Sequence, residues 1–397
     1  MDKKRVVIIG ANSFQNKLIE CAKARGYETH VFAWECGDIG EKTADFFYPI
    51  SITEKDEILK ICREINPVGV CSIASDLAVP TVNYVANALG LRANSNDCNS
   101  IATDKFEMRQ TFMKYDLPSP KCCAFDEGME VSELIDGMKE KGFDFPLIVK
   151  PTDRSGSRGV TQINSYEELE PALKAAVGES FRNRAVIEEF VGGTEYSIEY
   201  MSYGGKHHFL AATRKFTTGS PHFVELGHFQ PARLSDDMLQ RVKAVVERAL
   251  DVLFITNSAS HSEIKIDEAG NIKIIEIGAR MGGGCIGSDL VRISTGYDFV
   301  EMVLDVACGK EPKFERVCDP QIAFIRFILS TGDLRRMEQL KADYPQAVLE
   351  ITIEKEAADV IKPESSEDRA GYYIMALENQ DTLDEVCEIA IEEEYRN

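Results

Sequence analysis

Glu263 and Glu276 lie on the two arms of HSEIKID-EAGN-IKIIEIGAR, and both arms alternate apolar and polar residues with period two. Such alternation predicts two paired strands. With residues 268–271 as a four-residue loop, Asp267 pairs with Ile272, Lys265 with Ile274, and Glu263 falls opposite Glu276. Like charges directly opposite on antiparallel strands destabilise the pair, so a cation is expected between them. A hard divalent ion suits two carboxylates; a solvated strand face softened by Lys265 is the plainer alternative. Ile264, Ile266, Ile275 and Ile277 are expected on the other face, toward a core. Arg280 follows, then Met281-Gly282-Gly283-Gly284, a cation and a glycine run whose N–H groups can approach an anion. The next segment, SDLVRISTGYDFVEMVLDVA, reads as a helix whose N-terminus adds to that attraction.

Two further segments carry nucleotide-like chemistry. Lys150 precedes a hairpin loop containing Ser155, Gly156, Ser157 and Gly159. No GK[ST] follows, so this is not a Walker A loop. A mobile flap of this kind can turn its N–H groups onto a polyphosphate, with Lys150 as a point charge; a plain mobile turn has the same composition. In AVIEEFVGGTEYSIEYMS, two strand-like arms meet at Gly192-Gly193. Backbone exposed between strands can pair with an adenine edge and a nearby carboxylate with ribose, or the segment is simply an acidic hairpin.

The elements that must position these residues follow from the order of patterns. RVVIIG, ETHVFAW and GVCSIA alternate with helical stretches, the βαβ series of a parallel sheet. Gly10 and Glu35 stand where a dinucleotide fold would use them, but Gly10-Ala11-Asn12-Ser13-Phe14-Gln15 holds only one of three fingerprint glycines, which argues against a nicotinamide oxidoreductase. A smaller α+β region, a strand-rich stretch and a C-terminal run without motif succeed it. The expected division is an N-terminal Rossmann-like domain at 1–95, a core at 96–305 with a small lid at about 115–190, and a C-terminal α+β part at 306–397.

Composition bounds the class. The chain has 397 residues and a net charge of −21, which argues against a general nucleic-acid surface. Eleven cysteines occur without CxxC spacing, the pattern of reduced thiols rather than a disulfide or zinc framework. No apolar run reaches membrane-spanning length. A cytoplasmic protein with small-molecule partners, no nucleic-acid or membrane partner, and homodimerisation by base rate is expected.

A lysine on a helix (Lys105), a lysine before a glycine-rich flap, an EEFV hinge with a later glutamate, and two glutamates ahead of an Arg-Gly run resemble, in that order, the ATP-grasp superfamily. The resemblance is strongest to its carboxylate–amine ligases that join L-amino acids. It implies an α/β and α+β architecture, the ATP-grasp fold behind a Rossmann-like pre-ATP-grasp domain. It further implies that Lys105 and Lys150 contact ATP phosphates under the Ser155–Gly159 flap. Glu188, Glu189, Phe190 and Val191 would hold adenine and Glu195 the ribose. Glu263 and Glu276 would hold Mg2+, or Mn2+ in its place. Arg280 and Gly283 fall where such ligases hold a substrate carboxylate and its acyl-phosphate, and Glu225 and His228 fall in the amino-acid pocket, His228 as a positioning or proton-handling group. Gly278 departs from the pattern, since many members carry a third, asparagine ligand there. The alternatives are a bicarbonate-using member of the same fold and a non-catalytic nucleotide-binding protein.

Overall fold

Three sheets account for the strands of the computed structural model, which describes residues 3–359 and 363–395. The first is parallel, in the order Phe46–Pro49, Glu28–Ala33, Arg5–Ile9, Gly69–Cys71. Its apolar runs at residues 6–9 and Gly69–Cys71 are buried. Gly10, at φ +104°, ends the first strand, and Asn12 caps the helix Ser13–Ala24 in a capping box with Gln15. The Gln15 side chain fills the turn that a dinucleotide fold leaves to glycine, and donates to the Ile73 carbonyl at 2.7 Å.

The second sheet is antiparallel: Cys122–Asp126, Arg184–Glu189, Leu147–Pro151, Thr161–Ile163. The third has eight antiparallel strands, running Ile272–Gly278, Ala259–Ile266, Thr194–Tyr203, Lys206–Thr217, Glu225–Gln230, Ile322–Ile328, Gly371–Leu377 and Val348–Ile353. The last three strands come from the C-terminal ninety residues, so that stretch completes the sheet that carries Glu263 and Glu276. The helix Lys105–Lys114 lies between the two antiparallel sheets. Asp104 caps it by accepting from the N–H groups of Phe106 and Glu107, and this fixes Lys105 at its first turn.

One expected element differs. The run after the glycines is not a single helix. A wide turn at Ile286–Leu290 continues into Val291–Thr295, Gly296 ends it at φ +78°, and Asp298 caps a separate helix, Phe299–Ala307. Among the described residues, no helix is long and apolar enough to cross a membrane.

Candidate active site

A cleft of about 400 Å³ is lined by residues from all three sheets. The parallel sheet contributes Asn12 and Phe14 from the turn after Arg5–Ile9, and Ala74 and Asp76 from the turn after Gly69–Cys71. Strand order 3-2-1-4 reverses direction between these two strands, and the crevice outside the carboxyl ends at such a switch point is where α/β sheets bind ligands. The cleft therefore joins a crossover crevice to the space between the antiparallel sheets.

Glu263 pairs directly with Glu276, but by a different register from the one expected. The loop is one residue longer, residues 267–271, and Lys265 pairs with Lys273, not with Ile274. A bulge at Ile275 then restores the carboxylate pair. The extra residue shifts the side-chain alternation of the second strand, so Ile274 is fully buried while Ile275 lines the cleft. Lysines stand as the neutralising cations: Lys105 Nζ lies 2.8 Å from Glu276 and Lys215 Nζ 2.5 Å from Glu263. Burial opposes ionisation of Glu263, yet Lys215 and His261 hold its carboxyl well below the usual range.

Lys105 and Lys150 both reach the cleft. Lys105 also donates to the Arg154 carbonyl at 2.6 Å, which ties the base of the flap to the helix. Burial works against its charge, but Glu276 raises its pKa above the ordinary lysine value. Lys150 differs: burial lowers its pKa, and Glu188, 2.7 Å away, compensates incompletely because Arg109 and Lys105 are close. Ser155, Gly156 and Ser157 line the cleft; Gly159 does not, and a Cβ there would meet Pro151 and Glu179. The flap is clasped from the large sheet, with Ser157 Oγ donating to the Phe223 carbonyl and Arg158 pairing with Glu367 at 3.1 Å.

At the hinge, Glu188, Glu189, Phe190, Val191 and Glu195 all line the cleft. Glu188 is buried, its side chain committed to Arg109 and Lys150 and its backbone paired with Ile148 and Cys122 on the neighbouring strands. Gly193, at φ +99°, has no room for a Cβ against the Ile266 backbone, so only glycine makes this turn.

Arg280 is held by Asp76, with Nε and Nη2 at 2.9 and 2.8 Å from its two oxygens. A Cβ on Gly278 would lie 2.7 Å from Asp76 Oδ1. The side chain missing at 278 thus leaves room for an acid supplied by the parallel sheet. Gly283 lines the cleft opposite Ala74.

Lys215 is the hub that sequence reading missed. It is 3 % exposed and lies within 3.0 Å of Glu195, 2.9 Å of Glu225 and 2.5 Å of Glu263. Burial disfavours its charge, but the three carboxylates raise its pKa well above normal. Glu225 is also paired with Arg369 at 2.6 Å, a cleft residue from the C-terminal run that showed no motif. His261 lies against Glu199 at 2.5 Å and Glu263 at 3.4 Å; burial opposes its charge, and Glu199 raises its pKa to about 9.

His228 does not line the cleft. It is fully buried behind the lining, edge-on to Phe327, and among the described residues neither ring nitrogen has a hydrogen-bond partner. Burial lowers its pKa from 6.5 to about 3, against the pull of Glu225. The unfolded chain binds the extra proton between these two values. This histidine's contribution to stability is therefore present above about pH 6.5 and lost as pH falls toward 3. His228→Asn is expected to flatten the acid limb of stability, by up to about 1.4 kcal/mol per pH unit. Urea midpoints at pH 7 and 4.5 measure it; equal drops in variant and wild type would contradict the assignment.

The donor set can be tested against a metal. Among the described residues, no group of three His, Cys, Asp or Glu side chains is arranged to hold one. Glu263 and Glu276 nonetheless fit magnesium as a pair of hard oxygen donors on adjacent strands, with the ion's other positions left to oxygens from outside the protein. The lining holds eight Lys and Arg against seven Asp and Glu in a chain of net charge −21. This locally cationic balance suits an anionic ligand.

Residues 143–289 match the ATP-grasp domain, and the fold is the ATP-grasp fold with a parallel-sheet domain at its N-terminus. The chain is similar to alanine–anticapsin ligase of Bacillus subtilis, 27 % identical over 311 residues that cover 69 % of this chain and 64 % of that protein. The match thus spans less than two thirds of that relative's length. Among solved structures, the L-amino acid ligase from Bacillus licheniformis superposes with a TM-score of 0.81 at 23 % identity, over 98 % of this chain and 97 % of that one. Carboxyaminoimidazole ribonucleotide synthase from Aspergillus clavatus, complexed with ATP, superposes with a TM-score of 0.76 at 15 % identity, over 98 % and 97 %.

Proposed function

We propose that this protein is an ATP- and magnesium-dependent carboxylate–amine ligase whose acid substrate is an L-amino acid or a similar small carboxylate. The observation that carries the reading is one cleft in which the Glu263–Glu276 pair, Lys105, Lys150 and Arg280 converge beneath a flap and face the switch point of a parallel sheet. The names of the similar ligases support it.

In this reading the backbone from Glu188 to Val191 takes adenine and Glu195 the ribose. Lys105 and Lys150 leave their carboxylates for the phosphates. Glu263 and Glu276 would hold magnesium, which supplies charge neutralisation at the β- and γ-phosphates. Arg280 exchanges Asp76 for the substrate carboxylate and, with the Gly283 backbone, orients it in line with the γ-phosphorus. Carboxylate oxygen bonds to phosphorus as the bond to the β-phosphate oxygen breaks, giving an acyl-phosphate and ADP. The amine then attacks the acyl carbon, loses a proton, and phosphate departs. Positioning and fixed charge do most of this work. Ser155, Gly156 and Ser157 close over the site and exclude water that would otherwise hydrolyse the acyl-phosphate. Glu225, fixed by Lys215 and Arg369, is the acid placed for an amino group.

The test is an ADP- and phosphate-release screen with pairs of L-amino acids, followed by mass spectrometry. At least one pair is expected to stimulate release and to yield a condensation product lighter than the sum of the two by one water. Release that depends on bicarbonate and not on amino acids would move the protein to a carboxylating class; no stimulated release at all would refute the ligase.

A further inference from the structure

The helix Lys105–Lys114 presents two cations one turn apart. Lys105 meets Glu276. Arg109, only 1 % exposed, joins the two antiparallel sheets. Its Nε lies 2.9 Å from Glu188 Oε1 on the smaller sheet, and its Nη2 donates to the carbonyl of Ile275 on the larger one. Ile275 is the extra residue of the bulge that turns Glu276 toward Glu263. A bulged residue leaves the strand ladder and its carbonyl needs another donor. A planar, permanently charged fork can serve that carbonyl and a carboxylate at once; an ammonium cannot span both. Glu188 gives its other oxygen to Lys150 at 2.7 Å.

We propose that Arg109 is a positioning residue that pins the bulge, and so the aim of Glu276, to the hinge carboxylate Glu188. It acts through other groups and touches no substrate. The inference rests on the reading of Glu263 and Glu276 as magnesium ligands. Arg109 also serves Lys150. When Lys150 leaves Glu188 for a phosphate, Arg109 keeps that buried carboxylate paired, and an unpaired buried charge is strongly unfavourable. The flap-side lysine and the metal-side glutamate thereby share one support.

The test measures Mn2+ binding in the presence of ADP by electron paramagnetic resonance, on the full chain, for wild type, Arg109→Lys and Arg109→Gln. Thermal unfolding checks the fold. Arg109→Lys is expected to bind Mn2+ about ten- to a hundredfold more weakly, the scale of losing a residue that orients a metal ligand. The Mg2+ concentration for half-maximal turnover should rise in parallel while KM for the carboxylate substrate stays unchanged. Should the single variants misfold, the double variant Arg109→Gln/Glu188→Gln removes both members of the buried pair and is expected to fold with the same weakened metal binding. Wild-type Mn2+ affinity in any folded variant overturns the role of Arg109 alone. Absence of Mn2+·ADP binding by the wild type overturns the ligase reading and this inference together.

Discussion

Glu276→Ala is expected to lower ADP formation on the order of a thousandfold, the scale on which loss of one fixed stabiliser of a transferring group is felt. The fold should survive. Lys105 keeps its bond to the Arg154 carbonyl but loses its Glu276 partner, and a buried ammonium without that carboxylate is destabilised. The net loss of stability is expected to be about 1–3 kcal/mol, between the scales of an exposed and a buried pair. Turnover at saturating ATP and Mg2+, with unfolding followed by circular dichroism, measures both. Near-normal turnover in a folded variant would remove Glu276 from the metal site. Glu276→Gln sharpens the result, since it keeps the shape and hydrogen-bonding capacity but not the charge.

Arg280→Ala is the second variant with a large expected effect, and it separates two roles. If Arg280 holds the substrate carboxylate, ligation is lost even when ATP saturates. A change confined to KM for ATP would make Arg280 a nucleotide contact. Stability complicates the single variant, because Asp76 is left as a largely shielded carboxylate without its partner. Breaking such a pair costs up to about 3 kcal/mol, the figure for a fully buried one. Adding Asp76→Asn should restore most of that stability without restoring ligation. Recovery of both would mean that Arg280 serves the fold, not the substrate.

The strand pattern made part of this site readable. Period-two alternation set Glu263 opposite Glu276, a pair the structure contains through another register, and the βαβ series of the first ninety residues is the parallel sheet that the structure contains. His261 was equally readable, since it sits two residues before Glu263 on the same strand face. The bulge was not. A bulge of this kind needs no glycine, and nothing about Ile275 distinguishes it from Ile274 until the loop length is known. Asp76 and Arg369 reach the cleft from segments more than two hundred residues away from each other, SIASD and EDRAG, whose local composition is that of ordinary turns. Only the crossing of the sheets brings them together. Lys215 sits in LAATRKFTT, where a lone inward lysine could mark an edge strand as well as a charge hub. The broken helix at Gly296 was legible in principle. Glycine followed by Asp298 and Glu301 is a stop and a new cap, but the apolar period ran through it.

The hairpin has a parity. Each residue of a strand flips the side chain to the other face, so the number of residues between Glu263 and Glu276 decides whether the two carboxylates meet. The five-residue loop carries the count to the wrong value and the extra isoleucine corrects it. A single insertion or deletion within the paired strand residues therefore turns one of them toward the core, whereas a compensated pair of changes is neutral. A sequence alignment that closes a gap in the loop without regard to Ile275 will assign the wrong residue to the site. The chemistry of the cleft is thus written as an even or odd number as much as in the identity of its glutamates.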